Sequence, residues 1–371
     1  MSTNLSALLA GRWRFILVLA FASVIMFLGL LHSSLSLSAP SLLVHDAGNA
    51  SASAAQNGTL GFGQIFVLTG DDSTWRVQGL REAAKLTGIR LTIPVQPHMP
   101  DEQVYAYLAG EQPDNGLNGV RAILNYVSLL ETFIQSGDET ALFLEDDVDF
   151  GMDIKSQMQL ISEAILGFAS KRYADNKVSD YPYGKDWDVL WIGHYGVEVT
   201  QNTREVSYTD PFALHWDHLT STFTNYYELR LPPKVKEQPK ELQQRLLLGA
   251  APMSTYAFAL TRSNAERLVR KLKNRPVQRF DVALHIGCKG LEHKCVVPAP
   301  ALMHHHKVAG QGSIVNSAAE QNVAYDLPWW RDQHKYTYNI EWSARCNAAQ
   351  VGEKLGDRWK CMPGRYDAYD E

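Results

Sequence analysis

The sequence predicts an α/β domain, with strands alternating with helices, carried behind one apolar N-terminal span. Three observations lead there. Short apolar, β-rich runs at 64–69, 141–144 and 189–192 alternate with stretches of helical periodicity. A helical stretch joins the first extended run to a second at 89–95, which implies a parallel pair with helices packed on the sheet. Residues 15–31 form an uncharged run that follows Arg12 and Arg14, and no Lys or Arg comes after it until Arg76.

Composition narrows the class. Of the 371 residues, 45% are hydrophobic and 20% charged, a globular balance that excludes disorder, collagen and a low-complexity scaffold. A net charge of -5 with no basic block argues against a nucleic-acid partner. The four cysteines, Cys288, Cys295, Cys346 and Cys361, all lie late in the chain. An even, clustered set suits two disulfides if this part meets an oxidising compartment, and neighbours would pair as Cys288–Cys295 and Cys346–Cys361. Three pairings remain open.

The elements follow in order. Residues 1–14 read as a cytosolic tail and 15–31 as a transmembrane signal-anchor about 25 Å long; a cleaved signal peptide is the alternative. In either case everything beyond is translocated, into the secretory pathway and a Golgi or ER membrane setting. Residues 32–60, rich in Ser and Ala, read as a flexible lumenal stem, with sequons at Asn49 and Asn57. A folded domain is expected over 61–371. It opens with a strand at 64–69 and a helix capped by Ser73 and closed by Gly88. A strand at 89–95 and an amphipathic helix over 117–134, closed by Gly137, come next. Further elements are the strand 141–144, a helix carrying Met158 and Ile161, the strand 189–192, a helix opened by a Ser263/Glu266 capping box, and a late strand at Val296 and Val297. Residues 200–250 show little periodicity and read as an insertion or a loop over the site. The Gly61-x-Gly63 pair precedes the first strand, whereas a dinucleotide fingerprint needs glycines after it, so a dehydrogenase is excluded.

The stretch that carries chemistry is ALFLEDDVD over 141–149. In open α/β sheets ligands bind beyond the carboxyl ends of strands, and clustered like charges are costly without a cation. Hard oxygen ligands suit Mg²⁺ or Mn²⁺, which in turn bridges phosphates. Strand alternation puts Glu145 and Asp147 on one face and Asp146 on the other. Asp147 is the expected metal ligand, assisted by Glu145 or Asp149.

This stretch resembles the LxLEDDV signature of glycosyltransferase family 25, and the likeness is greatest to its fungal type II membrane members. Segments at 65–69, 118–130, 186–194 and 255–262, together with Phe280-Asp281, resemble other blocks of that family in the same order. Where the family has an Arg-rich turn after its first strand, this chain has GDDSTWR, which retains Arg76. The resemblance implies a GT-A-like fold, a mixed sheet flanked by helices, that transfers a hexose, galactose above all, from a UDP-sugar to a glycan or glycoprotein hydroxyl with Mn²⁺ or Mg²⁺. It implies donor binding by Thr69, Arg76, Glu145 and Asp146. It implies Asp281 as the base that takes the acceptor proton, helix capping being the alternative for that residue. It also implies a late imidazole in the metal shell, assigned within the run 304–306 to His304 and His306. Trp329, Trp330 and Trp342 would either stack on acceptor sugar or pack in the core. The alternative from another class is a catalytically silent carbohydrate-binding protein on the same fold.

Overall fold

The computed structural model describes residues 52–112, 116–173, 181–213, 243–274, 279–306 and 337–350. The expected span at 15–31 lies outside them. Among the described residues no helix is long and apolar enough to cross a membrane.

The described residues build a mixed α/β structure around a nine-stranded sheet. Its strands are β1 (Gln64–Leu68), β2 (Thr140–Glu145), β3 (Val148–Phe150), β4 (Val189–Gly193), β6 (Arg204–Thr209), β7 (Gln243–Leu248), β9 (Ala257–Thr261), β10 (Cys295–Ala299) and β11 (Met303–His305). A separate two-stranded pair joins β5 (Gly196–Glu198) to β8 (Ala251–Met253). The main order is β1-β2-β9-β4-β10-β7-β6, with β11 against both β3 and β4. β1 and β2 are parallel, as are β4 and β10, while β9 runs antiparallel between β2 and β4.

Each central strand is apolar on both faces because each face carries its own helical layer. Phe143 of β2, Trp191 of β4 and Phe258 of β9 pack with α3 (Gly116–Ser136), α5 (Arg262–Asn274) and α6 (Phe280–Lys289). Leu142 and Leu144, Leu190 and Ile192, alternating with those residues, pack with α1 (Trp75–Thr87) and α4 (Ile154–Tyr173). The short helices α2 (Asp101–Leu108) and α7 (Ala344–Gln350) complete the set. Gly193 ends β4 where it meets two neighbours: a Cβ there would stand 2.7 Å from the Ala257 nitrogen and 3.1 Å from the Met303 oxygen. A side chain at 193 would therefore push β11 away, and with it the histidine run.

Several boundaries move. The cap of α1 is Thr74, whose hydroxyl accepts from the Val77 nitrogen, one residue after the expected Ser73. The α5 cap is Thr261, which accepts from the Asn264 nitrogen, so the expected Ser263 box lies inside the helix. The run at 89–95 pairs with β1 in parallel, but only through a bridge at Thr92. Pro94 has no N–H to extend the ladder. The expected loop at 200–250 contains the antiparallel pair β6–β7, with 214–242 outside the described residues.

The stem gives way to the fold earlier than composition suggests. Ala55 and Leu60 are fully buried, and the Tyr183 hydroxyl donates to the Leu60 carbonyl at 2.5 Å. Asn57 stays exposed while its Oδ1 accepts from the nitrogens of Thr59 at 2.8 Å and Gly61 at 3.0 Å. Small apolar residues read as stem until a partner surface covers them. Cys288 and Cys295 form a disulfide as expected. Cys346 is also disulfide-bonded; Cys361, its expected partner, lies outside the described residues, as do Trp329 and Trp330.

Candidate metal centre

The parallel register of β1 and β2, from Gln64 opposite Ala141 to Leu68 opposite Glu145, carries Thr69 and the acidic run to the same edge of the sheet. Pleating sends Glu145 to the face covered by α3. There Tyr126 and Thr255 each donate a hydroxyl to its Oε1 at 3.0 Å. The chain turns through Asp146 and Asp147 into β3, and β11 lies antiparallel to β3 with His305 opposite Val148. His305 Nε2 therefore stands 2.7 Å from Glu145 Oε2 and 3.4 Å from Asp147 Oδ1. The Tyr256 ring lies 3.7 Å from the imidazole, centre to centre, and fixes its tilt.

Glu145, Asp147 and His305 offer ligand atoms that all lie within 4.8 Å of one another. Asp147 Oδ1 is buried and takes no hydrogen bond. A buried carboxylate oxygen without a donor is costly unless something charged completes it. Two carboxylates and one imidazole converging on that oxygen fit a divalent cation, and their mainly hard donor set suits Mn²⁺ or Mg²⁺.

Arg76, at the start of α1 and 6% exposed, forms an ion pair with Asp147 through the other carboxylate oxygen and reaches to 3.9 Å from Asp146. The two acids diverge. Burial and the charge of Asp147 push Asp146 up to about 7, against the pull of Arg76. Burial also acts on Asp147, but His305, Arg76 and Arg345 outweigh it and hold that carboxyl below the usual carboxylate range. Thr69 is buried beside Asp146, and its hydroxyl donates to the Asp71 carbonyl at 2.9 Å.

Three expected ligands do not join this group. Asp149 is fully buried, and its oxygens accept from the nitrogens of Phe150 at 2.7 Å and Arg345 at 3.1 Å, and from the hydroxyls of Thr337 and Ser343. It ties the C-terminal segment to β3. His304 and His306 share the face opposite His305, because neighbours in a strand alternate. His304 Nε2 donates to the Ala301 carbonyl at 3.1 Å, and His306 Nδ1 donates to the Thr337 hydroxyl at 2.6 Å. Burial depresses both, His304 to about 3, so they are neutral core histidines. The imidazole at the acidic centre is the middle one of the three.

Asp281 sits in the first turn of α6, one residue beyond Phe280, whose ring stacks on Tyr126 at 3.9 Å. Its carboxylate accepts from Arg279 at 3.1 and 2.9 Å and from the Val282 nitrogen at 2.9 Å. The N-cap position is Arg279, which makes no side-chain cap bond, and Asp281 instead satisfies a first-turn N–H, that of Val282, from within the helix.

Arg345 is the site residue that pattern reading misses. It is fully buried and donates Nε to the Val148 carbonyl at 2.7 Å and Nη2 to the Asp146 carbonyl at 2.6 Å. It thus clamps the backbone that presents Asp147. Nothing in the local sequence around 345 marks it, since its partners are some 200 positions away; Tyr126 and Thr255 meet Glu145 from 19 and 110 positions away, a meeting that only the packing of α3 and the segment before β9 on the end of β2 brings about.

No family model matches this chain, and no curated protein matches it.

Proposed function

We propose that the chain is a metal-dependent glycosyltransferase that moves a hexose from a nucleotide sugar to a hydroxyl of a glycan or glycoprotein. UDP-galactose is the donor that the family 25 resemblance favours, and a GT-A-like fold is part of the same reading. One observation carries it. Glu145, Asp147 and His305 converge beyond the end of a parallel strand pair, with a buried carboxylate oxygen left without a donor.

When bound there, Mn²⁺ or Mg²⁺ supplies the positive charge that stabilises a departing diphosphate. The chain's own residues do the rest. Tyr126 and Thr255 orient Glu145, and Tyr256 orients His305. Arg76 adds a fixed cation beside the position of the phosphates. Asp281 takes the acceptor proton only if Arg279 releases it, because both of its carboxylate oxygens are held by the Arg279 guanidinium. On this proposal the domain is lumenal in the Golgi or ER, anchored through residues 15–31, and the Cys288–Cys295 bond supports an oxidising compartment.

Calorimetry on the full-length chain tests it. UDP should bind only with Mn²⁺, and Asp147→Asn should abolish that binding in a protein that still folds, with a lowered melting temperature because buried Arg76 loses this ion pair. Sugar transfer should fall roughly 10²–10³-fold. UDP binding that ignores both the metal and the substitution would refute the mechanism. The Arg76–Asp147 ion pair, which neutralises the cluster from within the protein, favours the second reading, a catalytically silent carbohydrate-binding protein. That reading expects no UDP binding with or without metal.

A further inference from the structure

β3 and β11 lie side by side for three residues, with Val148 and His305 at the acidic end and Phe150 and Met303 at the other. Beyond that far end, roughly 10 Å away by strand rise, a narrow cleft opens, with about 520 Å³ of open space including its mouth. Its walls come from the entry to α4, the end of β6, β7, the segment 300–302 and the segment 339–342. Three carboxylates (Asp153, Asp210, Glu341), side-chain amides including Gln244, and the rings of Phe212 and Trp342 line it, and among the described residues no Lys, Arg or His does.

Gln244 points to a ligand. It is 2% exposed, yet neither its Nε2 nor its Oε1 has a hydrogen-bond partner. A buried amide without partners forfeits its hydration with nothing in return, so natural cores satisfy such groups. Its cross-strand neighbour Tyr208 also buries an unbonded hydroxyl. Asp210 follows two residues later on the same face. It is fully buried and pinned by Gln157 Nε2 and the Phe212 nitrogen, both at 2.9 Å. The cleft therefore holds an unused donor, unused acceptors, a rigid carboxylate and two aromatic faces.

That inventory selects the ligand class. The lack of a cation in the lining disfavours phosphate or a carboxylate. Among the described residues the group of converging ligand atoms is Glu145, Asp147 and His305, and none of them lines this cleft. Hydroxyl groups serve amide and carboxylate together, and the C–H face of a sugar ring stacks on an aromatic side chain. We infer that this cleft binds a neutral sugar residue of a glycan through Gln244 and Asp210, with Trp342 and Phe212 as its stacking surfaces. The inference stands apart from the proposed transfer reaction; under that reaction, the sugar held here belongs to the acceptor side.

The test uses the full-length chain in a detergent without sugar headgroups, with metal chelated and no nucleotide. Methyl β-galactoside, methyl α-mannoside and methyl β-N-acetylglucosaminide are titrated and followed by saturation-transfer NMR and calorimetry. At least one should bind saturably. Gln244→Leu and Asp210→Asn should each weaken it tenfold or more. Gln244→Leu removes an unsatisfied buried amide, so its melting temperature should equal or exceed that of the wild type, which separates lost binding from lost folding. No binding of any glycoside, or variants that bind like the wild type, would overturn the inference. Saturable binding of putrescine in place of the glycosides would overturn it too, by marking an amine site. UDP with Mn²⁺ is titrated in the same preparations, so failure of the acidic centre is scored separately.

Discussion

Arg345→Met removes the guanidinium that clamps the acidic turn while keeping the apolar stem. Arg345 is fully buried, and burial lowers its pKa only to about 10, so it is charged at neutral pH. Two short hydrogen bonds disappear, to the carbonyls of Val148 and Asp146. Each bond from a charged donor contributes about 1.5–3 kcal/mol. Asp149, already pushed up by burial, also loses the positive charge that opposes this shift. The two bonds together come to about 3–6 kcal/mol. At roughly 2 °C per kcal/mol for a body of this size, the melting temperature should drop by roughly 6–12 °C. Thermal and urea unfolding followed by circular dichroism read the change. A melt within about 1 °C of wild type would refute the clamp.

The histidine run separates by position: His305→Ala should weaken Mn²⁺ binding more than about tenfold, whereas His304→Ala should lower stability and leave metal affinity near wild type, by calorimetry and melting. Acid lability should follow from His194, fully buried with Nε2 on the Pro298 carbonyl at 2.9 Å and depressed by burial to about 4. Above pH 6.5 both states are neutral and no stability is lost. As pH falls from 6.5 towards 4 only the unfolded state takes the proton, so stability declines, by about 2 kcal/mol at pH 5. His194→Gln should remove that share of the difference between urea midpoints at pH 7 and pH 5. Replacing Cys288 and Cys295 together by Ala opens a loop with a separation of 7 residues and should cost about 2–3 kcal/mol in urea unfolding. Thiol labelling of the denatured, unreduced wild type should leave both cysteines unmodified.

Periodicity along the chain was enough to find β1, β2, β4, β10 and the helices α1, α3, α4 and α5, because alternation and apolar stripes are local properties of the chain. It also located the acidic run at the end of β2, but strand alternation does not place Asp146 and Asp147, because β2 ends at Glu145 and both lie in the turn before β3. Partners were beyond its reach. Asp149 looks like a fourth ligand until Thr337, Ser343 and Arg345 arrive from nearly 200 residues away to occupy its oxygens. The run His304-His305-His306 alternates whichever face comes first, and only the pairing of β11 with β3 turns the middle imidazole toward Glu145. Ala55 and Leu60 read as stem until the residues around Tyr183 cover them. Gln244 is an ordinary polar residue in sequence, and becomes informative once the surrounding walls bury it without a partner. A strand's face is set by its own residues, but whether a polar group on that face is satisfied, charged or left open depends on the segments that fold against it.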